Sequence, residues 1–433
     1  MSPKRLFSDL TSFLTGLVLS RTARNTYLVF LGNGLSAIFA FIFTVTLVRQ
    51  LTFADFGYFS ALLSFLLLVS DLADIGIGSS LSAFLPPLAA QKNRLFSFLR
   101  TAFFLQLIIA IFSATVMFLL SSQISDVLFH DRELDFLVKI TSLGIFTAIM
   151  ANFYQYALLA IQKFLQVAFL SAFGGLSRLI LLVILIVTSG VVLTNIVWMQ
   201  VLAYIILALV AFLVLDYDYL KVKKTPGDFK KLISFTYFLG IARGLTALAS
   251  RLDVLMLIAM TNATNAGIYS TASRVISLYP LLTGSFSAVI APKLSSATDK
   301  HFLKKYISKV ILATIGLIAT AVVMIIVAYP FMTILFGEKA APAVDVFRLL
   351  LFAMIFFIGS IPSVSLAIYY LRKPYILTVN SVIQLIIVIV GNLYFIPRFG
   401  LSGPAYSLIL AYGTTLFFTS FLSYYFLRLK HAE

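Results

Sequence analysis

Apolar runs of about 20 residues, each able to cross roughly 30 Å of hydrocarbon, recur from one end of this chain to the other. In hydrocarbon every backbone N–H and C=O must be satisfied inside the protein, which leaves helices or closed barrels. Runs of this length without two-residue alternation read as helices. Charged residues make up 11% of the 433 positions, against roughly 25% in soluble domains. The sequence therefore reads as an all-α polytopic membrane protein.

Apolar runs set against polar punctuation predict about twelve spans. They fall near 26–48, 57–84, 95–121, 137–160, 167–189, 196–215, 232–259, 266–291, 305–330, 345–371, 375–396 and 403–427. With the N-terminus inside, alternate loops hold most of the Lys and Arg, in a ratio of about four to one. Lys92, Lys163, Lys230, Lys231, Lys304 and Arg428 belong to the inside set; Arg49, Arg132, Lys339 and Arg398 lie outside. Both termini are then cytoplasmic. The net charge of +16 is explained by this bias, and no nucleic-acid partner is expected. Leu6, Leu10, Phe13 and Leu17 recur at helical spacing, which predicts an interfacial amphipathic helix before the first span.

The chain repeats itself. NGLSA at Asn33–Ala37 returns as RGLTA at Arg243–Ala247, and DFGYFS at Asp55–Ser60 returns as NAGIYS at Asn265–Ser270, both at an offset of 210. Each half holds an even number of spans, so the repeats are parallel, related by a pseudo-two-fold along the membrane normal. The expected division is a cytoplasmic segment 1–25, an N-lobe 26–215, a cytoplasmic linker 216–231, a C-lobe 232–427 and a tail 428–433. A substrate path between two such lobes is the default expectation.

Charge inside the bilayer points to chemistry, since each guanidinium there costs at least about 2.5–3.5 kcal/mol on insertion scales. At 1.5 Å per residue, Arg243 lies about 16 Å into its span, Arg178 similarly deep, and Arg274 about 12 Å in from the outside. These three are the candidates for an anion-attracting cavity, and the planar fork of arginine suits phosphate. The plainer reading pairs them with carboxylates. Asp71 and Asp74, three apart on one helical face, are candidates for ion or proton coupling or for a salt bridge to Arg178 or Arg274. Asp253 joins them as a coupling or pairing candidate. It lies with Arg251 near the outer end of its span, where gate or interface roles are expected. Asn152 with Gln155, and Asn380 with Gln384, could contact sugar hydroxyls or hydrogen-bond between helices. Gly76, Gly78, Pro280, Pro292, Pro330 and Pro362 mark places where spans can bend. The chain has no cysteine and three histidines, all outside the spans, so no metal site is expected.

The stretch VRQLTFADFGYFSALLSFLLLVSDLADIGIGSSL resembles the first-to-second helix signature of bacterial polysaccharide flippases. These form the Wzx-type branch of the multidrug/oligosaccharidyl-lipid/polysaccharide exporter superfamily. Arg251–Val275 and Tyr394–Gly413 are similar to the same family. The resemblance implies a MATE-like fold of two six-helix lobes around a cationic cavity. It implies, as partner, an undecaprenyl-diphosphate-linked oligosaccharide moved across the inner membrane for surface polysaccharide such as O-antigen. Arg178, Arg243 and Arg274 would contact its phosphates and acidic sugars. Asp253 falls on the family's acidic position before Gly-x-Tyr. No cofactor is implied, only coupling to H+ or Na+. Membrane lipid and polysaccharide polymerase machinery are the expected further partners, and the chain is expected to act as a monomer.

Two alternatives stand beside this. A multidrug or cation antiporter of the same superfamily would have a cavity dominated by acids and aromatics. A membrane-embedded polymerase or ligase would lean on long outer loops, and the longest here is Gln123–Phe136. No glycine loop ending in Lys-Ser or Lys-Thr occurs, so transport powered by the chain's own ATP hydrolysis is not expected; the expected role is transport and not enzymatic.

Overall fold

A computed structural model describes residues 21–188, 190–223, 225–295, 300–373 and 375–432. The amphipathic helix expected around Leu6–Leu17 lies outside the described residues. Among these residues no strand occurs. The main helices are α1 (Arg21–Gln50), α2 (Phe53–Ala73), α3 (Ile77–Phe84), α4 (Lys92–Leu119), α5 (Asp135–Ala160), α6 (Phe164–Thr188) and α7 (Leu193–Val214). The second half has α8 (Asp228–Met260), α9 (Ala263–Ile276), α10 (Leu278–Ser295), α11 (Lys300–Ile326), α12 (Ala343–Gly359), α13 (Tyr375–Phe399) and α14 (Gly403–Ala432).

Nine stretches of the described residues are long and apolar enough to cross a membrane, one of them holding both α13 and α14. Splitting that stretch, and adding α8 and the broken pair α9 and α10, gives the twelve traverses that the sequence predicts. Two of the interrupted traverses border the site. The second breaks between α2 and α3, where Ile75 and Gly76 take φ of 38° and 85°. The eighth breaks at Ser277; Pro280 one turn on has no N–H to continue the ladder.

The helices of each half pack mainly on one another. In the first, α1 lies along α6, and α5 sits between α4 and α7; in the second, α14 packs on α12 and α13, and α11 on α12. The halves meet where α2 crosses α8 and α9. One apolar core runs through that crossing by way of Leu47, Phe56, Ile258 and Phe336. A second, around Leu81, Leu99, Ala148 and Leu158, belongs to the first half apart from Leu232.

The segment between the halves is less loose than its polar sequence suggests. Tyr219 is fully buried, edge-on against Phe103 at 5.5 Å. Asp228 already opens α8, where Arg94 approaches it to 3.6 Å and the Ser97 hydroxyl donates to it at 3.0 Å. The polar run is thus stapled to α4, and α8 starts four residues before the span boundary at 232. Likewise α1 takes in Arg21–Asn25, because helical structure extends past the apolar window into the interface.

Candidate functional site

The break between α2 and α3 sets one charged centre. Asp74 caps α2, and its carboxylate accepts the N–H of Gly78 at 3.0 Å, so it also closes the first turn of α3. Its other oxygen takes Arg243 of α8 in an ion pair across the two halves. The Arg243 guanidinium lies over the Tyr156 ring at 5.4 Å. Tyr156 comes from α5, one turn beyond Asn152, so the two share a helical face. An apolar groove of about 470 Å³, lined by Leu72, Ile75, Gly240, Gly244, Leu245 and Leu248, follows the α2–α8 seam beside Arg243.

A second centre lies higher along the same helices. Arg251 approaches Asp71 to 3.9 Å, a long contact with both side chains partly exposed, and its Nε is buried without a partner. Arg274 of α9 is within electrostatic reach of Arg251 and of Arg178. Arg178, from α6, stacks on Tyr204 of α7 at 4.7 Å. Neither Arg178 nor Arg274 has an ion-pair partner among the described residues, and both are only half-buried. The structure thus brings four arginines from three helices, α6, α8 and α9, toward one region. The alternative pairing of the aspartates with Arg178 or Arg274 is not what it forms: Asp74 takes Arg243, and Asp71 takes Arg251.

Asp253 turns the other way. The Tyr269 hydroxyl donates to it at 2.7 Å, and the N–H of Val254 at 2.8 Å. One turn on, the Asn392 amide donates to the Met256 sulfur at 3.7 Å, leaving its fully buried carbonyl oxygen without a partner. This is a carboxylate inside the second half, held by hydroxyl and backbone groups. Of the amide candidates, Asn380 is buried with an orphaned carbonyl oxygen. Asn152, Gln155 and Gln384 are half-buried and make no hydrogen bond among the described residues. None of the four joins the arginine cluster by a hydrogen bond.

The arrangement can attract a polyanion. Arg243 and Arg251 are held by Asp74 and Asp71, and Arg178 and Arg274, without carboxylates among the described residues, retain free forks. Sequence reasoning missed Arg251 as a cavity cation, and it missed the stacking rings Tyr156 and Tyr204. With 20 tyrosines in the chain, helical register with Asn152 could have singled out Tyr156, but Tyr204 lies on a different helix from Arg178 and nothing in the sequence marks it.

Comparison with known proteins gives a consistent picture. The sequence model of the polysaccharide biosynthesis protein family matches residues 22–298. No curated protein matches the chain. Among solved structures, an inward-facing multidrug-resistance MATE family transporter of the MOP superfamily superposes with a TM-score of 0.73. It is 13% identical, covering 91% of this chain and 96% of its own. The lipid II flippase MurJ, in an inward closed conformation, gives 0.71 at 15% identity, with 90% and 86% covered. A MOP superfamily transporter from Pyrococcus furiosus gives 0.64 at 14% identity, with 94% and 96% covered.

Proposed function

The chain belongs to the polysaccharide biosynthesis protein family, and on that footing we propose that it is a flippase for lipid-linked oligosaccharide. The substrate in this reading is a sugar repeat unit on undecaprenyl diphosphate, moved from the cytoplasmic to the outer leaflet of the inner membrane. The multi-pass, two-half fold that it shares with membrane transporters supports transport over enzymatic chemistry.

One observation carries the reading: Arg178 and Arg274 stand half-buried between the halves, with no ion-pair partner among the described residues. An uncompensated guanidinium at that depth is costly, and a diphosphate headgroup would offset the cost through bidentate hydrogen bonds. Arg251 joins them, and Arg243 shares its charge with Asp74 until an anion competes for it. The apolar groove beside Arg243 gives the prenyl chain a lipid-facing place while the headgroup crosses. Rocking of the halves about the α2–α9 contact would then expose the headgroup outside. Asp253, half-buried and accepting the Tyr269 hydroxyl, is the coupling carboxylate in this scheme, with H+ or Na+ as the ion.

The test is restoration of surface polysaccharide in a strain lacking its own flippase. Arg274→Ala and Arg243→Ala, inserted at normal levels, should each lower it by about tenfold or more, the factor that 1.4 kcal/mol of lost binding represents. If both variants match the parent, the arginines are structural and the anion path fails with them.

A further inference from the structure

The end of α11 carries a charged surface that the transport path does not use. Its buried residues, Leu303, Val310, Thr314 and Ala321, recur about seven residues apart and form one narrow stripe against α12. At about 100° per residue, Lys305 falls on the opposite side of the helix, with Lys304 and Lys309 flanking it. So do Ser308, Leu312 and Ile315. All of these are exposed, Leu312 by 70% and Ile315 by 55%. The lysines therefore lie off the stripe that packs on α12.

The three lysines, Ser308 and Leu312, with His301, line an open basin of about 600 Å³ at the basic end of the helix. Lys304, Lys305 and Lys309 make no ion pair among the described residues. Directly below them the face becomes apolar at Leu312 and Ile315. Along the helix the cations Lys304, Lys305 and Lys309, with Ser308 among them, give way to hydrocarbon. A phospholipid presents the matching order, an anionic phosphate and then an acyl chain.

We infer that this face of α11 is a binding site for an anionic phospholipid of the leaflet on the basic side, the cytoplasmic one in the proposed orientation. Charge complementarity selects the headgroup, and the exposed Leu312 and Ile315 seat the upper part of a chain. Lysines that served only to orient the span would act by charge wherever they stood in the loop; these are gathered on one arc above an apolar strip. The inference is independent of the transported substrate.

The experiment is native mass spectrometry of the purified full chain titrated with phosphatidylglycerol, with phosphatidylethanolamine as the zwitterionic comparison. The parent should retain phosphatidylglycerol preferentially. Lys304→Gln/Lys305→Gln/Lys309→Gln should weaken retention about fivefold or more, while Lys223→Gln/Lys230→Gln/Lys231→Gln, which removes the same charge elsewhere, should leave it unchanged. Leu312→Asn, which keeps every charge, should weaken it by a smaller factor and covers the case in which the triple variant is not recovered. Equal loss in the two triple variants would mean diffuse attraction and would overturn the site. So would full retention without the α11 lysines, or indifference to Leu312→Asn.

Discussion

Arg243 has two partners, a carboxylate and an aromatic ring, and they separate in experiment. The Asp74 side chain is 13% exposed and that of Arg243 38%, so removing the carboxylate costs less than the about 3–5 kcal/mol of a fully buried pair. Asp74→Asn should therefore lower the melting temperature modestly while freeing Arg243 for an external anion. Its affinity for a soluble diphosphate such as pyrophosphate should rise, read by isothermal titration. Weaker binding would mean instead that Asp74 aims the guanidinium. Tyr156→Leu keeps bulk and removes the ring; with a cation–π contact at about 0.5–2 kcal/mol, it should reduce affinity about twofold to thirtyfold without freeing the charge. The depth of these charges was legible from the sequence, because rise per residue is nearly constant. Their azimuth was not. A depth count puts Asp71 and Asp74 near every mid-span arginine, and only the crossing of α2 on α8 decides that Arg243 and Arg251 reach them first.

Helix interruptions belong to a larger scale, and the two here were unequally visible. Pro280 announces its break by chemistry alone, since a missing N–H must interrupt the ladder. The break after Asp74 was half-visible: Gly76 suggested it, and Gly76 takes the left-handed φ of 85° that only glycine adopts freely. Ile75 gave no sign, because a β-branched residue at φ 38° is unfavourable in every local scale. The surrounding contacts impose it, with the Ile75 carbonyl tight against Gly240 of α8. Strain of this kind amounts to about 1–3 kcal/mol. Ile75→Gly should release part of it, though loss of the Ile side chain offsets some of the gain. Gly76→Ala should go the other way, destabilising by about 1–2 kcal/mol for a side chain placed in the left-handed region. Thermal unfolding in detergent decides both; a Gly76→Ala protein as stable as the parent would place the break elsewhere. The twelve traverses and the repeat were legible because hydrophobic length and helical period survive any packing. The start of α8 was not, because the buried Asp228 that fixes it reads in sequence as one more linker charge.

Across the whole molecule, the repeat explains where the two halves are closed. Gly57 and Gly267 occupy matching positions, 210 residues apart, and they face each other where α2 meets α9. A Cβ on Gly57 would run into the Ala263 carbonyl, and one on Gly267 into the Phe53 carbonyl. Near this contact the halves clasp through charged side chains and backbone. Arg49 donates to the Leu335 and Ile334 carbonyls at 2.7 and 2.6 Å, and Lys339 donates to those of Arg49 and Leu51, both at 2.8 Å. The two devices sit at the end opposite the basic loops, and in the proposed orientation both would hold the outer side shut. Both should therefore bias the equilibrium in one direction when damaged. Gly267→Ala forces the helices apart; Arg49→Ala/Lys339→Ala removes four charge-assisted hydrogen bonds, weakened by their exposure but still a fraction of about 1.5–3 kcal/mol each. A shift of 1.4 kcal/mol is a tenfold change in population. Because the chain has no cysteine, a single Ser273→Cys, one residue before Arg274, reports directly on access. Labelling of that cysteine in intact cells by a membrane-impermeant maleimide should rise about tenfold in either background. If labelling rises with Gly267→Ala alone, the glycine contact is the gate and the clasp is incidental; if it rises with neither, the outer side is not held shut by this surface.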